Sequence, residues 1–178
     1  MKVKDHLTIG PDGSGSVRIE TTPRVDLDVE NLSAALARAR DRNHYPPLNR
    51  ASALKLFPGD AFEVQVSRTE QDGAATTVVT ATFTDVNALL RSPYAEAHDL
   101  VLQKDPKTQE ITLRARSGLA ALGVFEEMAG SEDREQVDPR IIDAAKAMKK
   151  MHQVFMVTVP GQARSDGGDV SGQTVTWT

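Results

Sequence analysis

Along residues 2–9 apolar and polar side chains alternate. Val3, Leu7 and Ile9 fall on one face and Lys2, Lys4 and His6 on the other, with Asp5 as the exception on the apolar face. A period of two is the mark of a strand with one buried face. GPDGSGS (10–16) then supplies turn formers, and SVRIETT resumes the alternation with Val17 and Ile19 inward and Arg18 and Glu20 outward. The two runs predict a β-hairpin with a loop longer than two residues. Residues 61–70 and 75–84 repeat the pattern on either side of Gln71-Asp72-Gly73-Ala74. An Asp-Gly between alternating β-branched runs is a strong hairpin cue. DLVLQKD (99–105) and EITLRARS (110–117), around Pro106-Lys107, predict a further hairpin.

Between these strands the period changes. In residues 28–43, Val29, Leu32, Leu36 and Ala39 form a helical stripe that starts at Asp28 and ends near Asn43. ASALKLF (51–57) suits two turns of helix, and Asp85 can cap a short helix over VNALLRS. Residues 118–130 place Leu119, Leu122, Phe125 and Met128 on one broad helical face, which Gly123 weakens. Asp138-Pro139 opens a helix predicted over 139–153, with Ile141, Ala145, Met148 and His152 at helical spacing and Met151 beside them. VFMVTVP follows as a strand and must stop at Pro160, which cannot donate to a ladder. The last residues bend at Asp166-Gly167-Gly168 and at Gly172, then run into QTVTWT, where Val175 and Trp177 share a face.

Strands that come as sequence-adjacent hairpins, without βαβ alternation, point to an α+β fold. The expectation is a mainly antiparallel β-sheet with helices packed on one face and a C-terminal β-meander. Residues 1–178 form one domain, and 159–178 form the glycine-pinned meander that Trp177 keeps from fraying.

Composition narrows the function classes. The chain has 178 residues, no cysteine and a net charge of −4. Disulfides, thiolate metal sites and cysteine nucleophiles are excluded, and the balance is not that of a globally basic nucleic-acid binder. No apolar run approaches the ~20 residues of a membrane span, and the opening MKVKDHLTIG has no apolar signal core.

Candidate chemistry is sparse. Gly10 and Gly15 have phosphate-loop spacing, but Ser16 stands where the lysine belongs and a strand follows where a helix should start. Asp12, Ser14 and Ser16 lack the further carboxylates of a calcium loop, which leaves a plain turn. His6, His44, His98 and His152 form no HExxH and no i, i+4 pair, and no G-x-S-x-G marks a nucleophile. No catalytic residue, metal site or cofactor is expected. Arg38, Arg40, Arg42 and Arg50 make a local basic segment, either a contact for anionic headgroups or cations favoured by a helix C-terminus. Glu132, Asp133, Glu135 and Asp138 could hold a cation or form a solvated loop. Phe125, Met148, Met151, Phe155 and Met156 could line an adaptable apolar pocket or belong to an ordinary core.

The tail reads V-P-G (159–161), S-D-G-G (165–168) and V-S-G-Q-T-V-T-W (170–177), and the opening reads VKDHLTIGPDGSGSVRIE (3–20). Both resemble the LppM-type bacterial lipoprotein domain. That family closes on a Leu/Val-Pro-Gly step, a Ser-Asn/Asp-Gly turn and Gly-Asn-Thr-Val-Thr-Trp, and opens on two strands around a Pro-Asp-Gly-Ser-Gly loop. The resemblance covers about a tenth of the chain at each end. It implies an extracytoplasmic, non-enzymatic module of the cell envelope, membrane-tethered in its full-length form and binding lipid or another apolar molecule. Family members begin at a lipidated cysteine and often carry a membrane span beyond the Trp-ended strand, neither of which this sequence contains. The alternative is a protein–protein assembly module of the envelope with no ligand cavity.

Overall fold

The computed structural model describes residues 2–22, 46–47, 49–71, 74–105, 107, 110–115 and 152–178. In chain order these give β1 (Lys2–Ile9), β2 (Gly15–Thr22), α1 (Arg50–Leu56), β3 (Phe62–Gln71), β4 (Ala74–Phe83), α2 (Val86–Leu90), α3 (Pro93–Ala97), β5 (Val101–Lys104), β6 (Ile111–Arg114), β7 (His152–Thr158), β8 (Asp169–Ser171) and β9 (Thr174–Trp177). Seven strands join one sheet in the order β3-β4-β2-β1-β7-β9-β8, and β5 and β6 pair separately. Every neighbouring pair is antiparallel except β1 and β7, which run parallel. The protein is therefore α+β, a mixed and mostly antiparallel sheet with a few short helices.

The hairpins form where alternation and turn chemistry agree. β3 and β4 pair along their whole length, from Phe62 opposite Phe83 to Gln71 opposite Ala74. β1 and β2 pair from Lys2–Thr22 to Ile9–Gly15. Their connection is a plain turn: the Gly10 amide donates to the Ser14 carbonyl at 2.7 Å and the Gly13 amide to the Gly10 carbonyl at 3.1 Å. Gly13 takes φ 82°, a conformation open to glycine. The Ser14 hydroxyl and amide both donate to Asp12 and hold its carboxyl below the ordinary value of 3.8. At Gly15 a side chain would collide with the Thr8 carbonyl oxygen and stand 2.7 Å from the Phe83 ring.

One face of the sheet builds the core. Val3 and Leu7 of β1, Val17 and Ile19 of β2, Val79 and Ala81 of β4, and Phe155 and Val157 of β7 are buried there together with Ala53, Leu56, Phe57, Leu89 and Tyr94. The opposite face is polar and rich in threonine. Thr8 sits opposite Thr158, and Thr158 opposite Thr174. Arg18, Glu20 and Lys4 form ion pairs on this face at 2.9 and 4.0 Å, in exposed positions where such pairs contribute little.

Several expectations are corrected. The tail is not a simple meander, because β9 lies beside β7 and β8 lies outside it. Burial explains the order. β9 places Trp177 against Phe155 and Val175 against Val157, whereas all three residues of β8 are exposed and suit an edge. Trp177 thus anchors the strand next to the edge rather than the edge itself. Gly168 has its own reason to be glycine: a Cβ there would lie 2.7 Å from Val175 and 2.8 Å from the Trp177 indole. The helix predicted over 139–153 does not reach its expected end, because His152 and Gln153 already pair with Lys2 and Val3 as β7. Its remaining residues, and the helices predicted over 28–43 and 118–130, lie outside the described residues. The strand predicted from residue 99 begins at Val101, since Asp99 takes φ 44° as the chain leaves α3.

Candidate functional site

Five residues, Pro93–Ala97, make α3, and local signals explain it. The Ser92 hydroxyl accepts from the Ala95 amide at 3.3 Å as N-cap, and Pro93 occupies the first turn, where its missing N–H costs nothing. The short helix aims Tyr94 and, at its C-terminal end, His98 into the core, where both are fully buried. Directly beneath lies Asp5, the residue that broke the alternation of β1, also 0% exposed.

His98 joins helix to sheet. Its Nδ1 lies 3.0 Å from the Tyr94 carbonyl oxygen, one turn back, and its Nε2 lies 3.1 Å from Asp5 Oδ2. Gln153 of β7 donates its side-chain amide to the same Asp5 oxygen at 2.8 Å. A buried carboxylate survives only when paired and hydrogen-bonded, and α3 and β7 each supply one partner. Around this cluster runs a row of rings: Phe62–Phe57 at 5.5 Å, Phe57–Tyr94 at 5.3 Å, Tyr94–His98 at 4.4 Å, His98–Phe155 at 5.5 Å and Phe155–Trp177 at 5.8 Å between centroids. The row connects β3 to β9 across the core face.

Tyr94 is the odd member. Its hydroxyl is buried and has no hydrogen-bond partner among the described residues. Burial, with the nearby Asp5 charge, pushes the phenol well above its ordinary value of 10. A buried donor without a partner costs about 1–3 kcal/mol. Tyr94→Phe, which keeps the ring and removes the hydroxyl, is therefore expected to raise stability by about 1 kcal/mol in urea unfolding; a loss of stability would show that the hydroxyl is satisfied in solution.

A general base must reach the proton it takes, and both ring nitrogens of His98 face internal partners while the pair is closed off from solvent. His6 lies on the opposite face of the sheet, with Nε2 2.8 Å from the Thr158 hydroxyl, which lies 2.8 Å from that of Thr174. Among the described residues no three His, Asp or Glu side chains gather as metal ligands, and no helix is long and apolar enough to cross a membrane.

Of the candidate pocket residues, only Phe155 and Met156 are described, and they are not brought together. Phe155 is buried in the core, and Met156 is half-buried on the opposite face of β7. Consecutive strand residues point to opposite faces, so these two cannot line one pocket. Phe125, Met148 and Met151 lie outside the described residues, as do Arg38, Arg40 and Arg42 and the acidic run Glu132, Asp133, Glu135 and Asp138. Arg50 is exposed at the start of α1, next to the cap formed by Asn49, whose side chain accepts from the Ser52 amide at 2.9 Å. Sequence reasoning passed over His98 and Asp5 as a pair because 93 positions separate them. The available signals were Asp5 on an apolar face and the Ser92-Pro93 helix start.

No family model matches this chain, and no curated protein or solved structure was found to match it.

Proposed function

We propose that this chain is a non-enzymatic binding module of the bacterial cell envelope, one that receives an extended segment of a protein partner on the open edge of its sheet. The observation that carries this reading is β3. It is a ten-residue strand at the end of the sheet and pairs only with β4 among the described residues. Natural sheets shorten, charge or bend their edges to prevent pairing with other chains. The far edge, β8, follows that rule with three residues. β3 follows it only in its second half, where Arg68 and Glu70 stand; Phe62-Glu63-Val64-Gln65-Val66-Ser67 contains neither proline nor glycine and a single charge. Strand addition draws affinity from backbone hydrogen bonds and specificity from alternate side chains, and this edge offers both.

The enclosed Asp5–His98 pair supports a binding role over a catalytic one. Placement in the envelope draws on the resemblance of the opening and tail to LppM-type domains. A lipid held between sheet and helices is the competing reading. It would have to share that space with the row of rings from Phe62 to Trp177, and it depends on Phe125, Met148 and Met151.

Residue-resolved amide exchange on the purified protein tests the proposal. Along residues 62–71, amides pointing away from β4 are expected to exchange nearly as fast as unprotected ones, while the alternate amides bonded to β4 are slow. Uniform protection of the strand would mean that its edge is already covered, and the reading would fall. One lipid per chain in native mass spectrometry, released together with a change in Trp177 emission, would replace it with the lipid reading.

A further inference from the structure

The geometry points to the chemistry of the partner that the β3 edge takes, an inference that rests on the reading of that edge as a docking strand. The partner is an extended segment with apolar side chains at alternate positions and a basic side chain between two of them, opposite Glu63. The apolar requirement comes from the rows of side chains that cross the sheet. On the core face Phe62 lies opposite Phe83, Val64 opposite Ala81 and Val66 opposite Val79. Two of these rows continue inward, from Ala81 to Val17 and from Val79 to Ile19 of β2. Among the described residues the rows stop at β3, where Phe62 and Val66 pack against the core and stay only partly buried. Side chains directly opposite one another in an antiparallel pair stand about 4.5–5.5 Å apart. A strand added along residues 62–67 would therefore bring the next member of each row into contact, and alternate apolar residues would lengthen the core by one strand.

α1 widens the apolar rim at one end of this edge. The ring of Phe57, at the end of that helix, lies 5.5 Å from the ring of Phe62. Leu54 precedes Phe57 by three positions, the spacing at which helical side chains are neighbours, and it is 45% exposed. The apolar surface around Phe62 thus extends from the strand onto the helix.

The other face of the strand sets the charge. Glu63, Gln65 and Ser67 alternate with the apolar residues and are exposed. Glu63 is the one acidic or basic residue in this stretch. It accepts from the Gln65 amide at 3.2 Å and has Thr82 as its cross-strand neighbour on β4, and both of these are neutral. A lysine or arginine opposite Glu63 on the open side would supply a countercharge, whereas an acidic residue there would be repelled. A second copy of β3 does not meet this need. Laid antiparallel with Val64 opposite Val66, it would set Ser67 opposite Glu63. The edge therefore suits a different chain, one that carries the base itself.

NMR titration and amide exchange of the purified chain with the blocked peptide Thr-Val-Thr-Val-Lys-Val test the inference. Laid antiparallel, the peptide sets its lysine opposite Glu63 and its valines opposite Phe62, Val64 and Val66. It is expected to shift and protect the outward amides of residues 62–67, and Val-Val-Val-Thr-Thr-Lys, of the same composition without alternation, is not. Glutamate in place of the peptide's lysine should weaken binding about two- to fivefold, the worth of one cross-strand charge pair, and Glu63→Lys should reverse that order. Equal binding of the alternating and non-alternating peptides would overturn the inference, as would an order that Glu63→Lys leaves unchanged. So would the failure of every peptide to bind an edge whose outward amides exchange fast, although the open edge itself would then stand. Uniform protection of β3 before any peptide is added would remove the edge and both readings with it; where that protection grows with protein concentration, the site belongs to a second copy of the chain.

Discussion

Phe155→Ala is expected to lower stability by about 3–5 kcal/mol, the usual cost of removing a buried phenylalanine ring. The position justifies the upper part of the range. Phe155 is 7% exposed and sits between the His98 and Trp177 rings, with Asp5 and Trp177 as its cross-strand partners. Truncation opens a hole that rigid β1 and β9 cannot close, and it takes one wall from the Asp5–His98 pair. Trp177 supplies a built-in report, being the only tryptophan: its emission in the folded variant should shift towards that of a solvated indole. A cost below about 1 kcal/mol in urea unfolding would be outside the range for a packed aromatic ring and would place Phe155 outside the core.

His98→Ala should prove comparably severe for a different reason. Removing one member of a buried hydrogen-bonded pair takes a partner from the other where water cannot replace it, and for buried ion pairs this costs about 3–5 kcal/mol. Here the survivor is Asp5, at 0% exposure with Gln153 as a remaining donor. The diagnostic outcome is non-additivity. Asp5→Leu/His98→Leu should recover most of the loss, because apolar replacement of a whole buried pair is often neutral or stabilising. If the double variant is as unstable as the sum of its parts, the loss comes from packing alone. Thermal unfolding of the two single variants and the double variant separates these cases.

How much of this was legible in the sequence depends on the range of each interaction. The three hairpins could be read because their evidence is local: alternation within β1 to β6, and Asp72-Gly73 or GPDGSGS between partners. The Asp85 cap and the helix beginning near residue 50 were readable for the same reason. α3 was missed because five residues are too few to show a period, even with Ser92-Pro93 announcing a start. Period two tells which face a residue takes and nothing about which strand lies alongside, so the parallel union of β1 with β7 could not be foreseen, nor could the position of β9 between β7 and β8. The Asp5–His98 contact depends on that union and on α3 together. For the proposed apolar pocket, Phe155 and Met156 were chosen by composition, whereas the alternation of β7 already assigns them to opposite faces.

The parallel pairing also sets a timetable for synthesis. Residues 2–8 leave the ribosome well before their neighbours at 152–158. Until those are made, β2 is the one partner of β1 available among the described strands, and Asp5 lacks Gln153. Contacts this distant along the chain are slow to form and leave sticky intermediates. Closure of the sheet between β1 and β7 thus waits until residues 152–158 have been made, and a chaperone that shields the waiting β1–β2 hairpin would be expected to raise the yield.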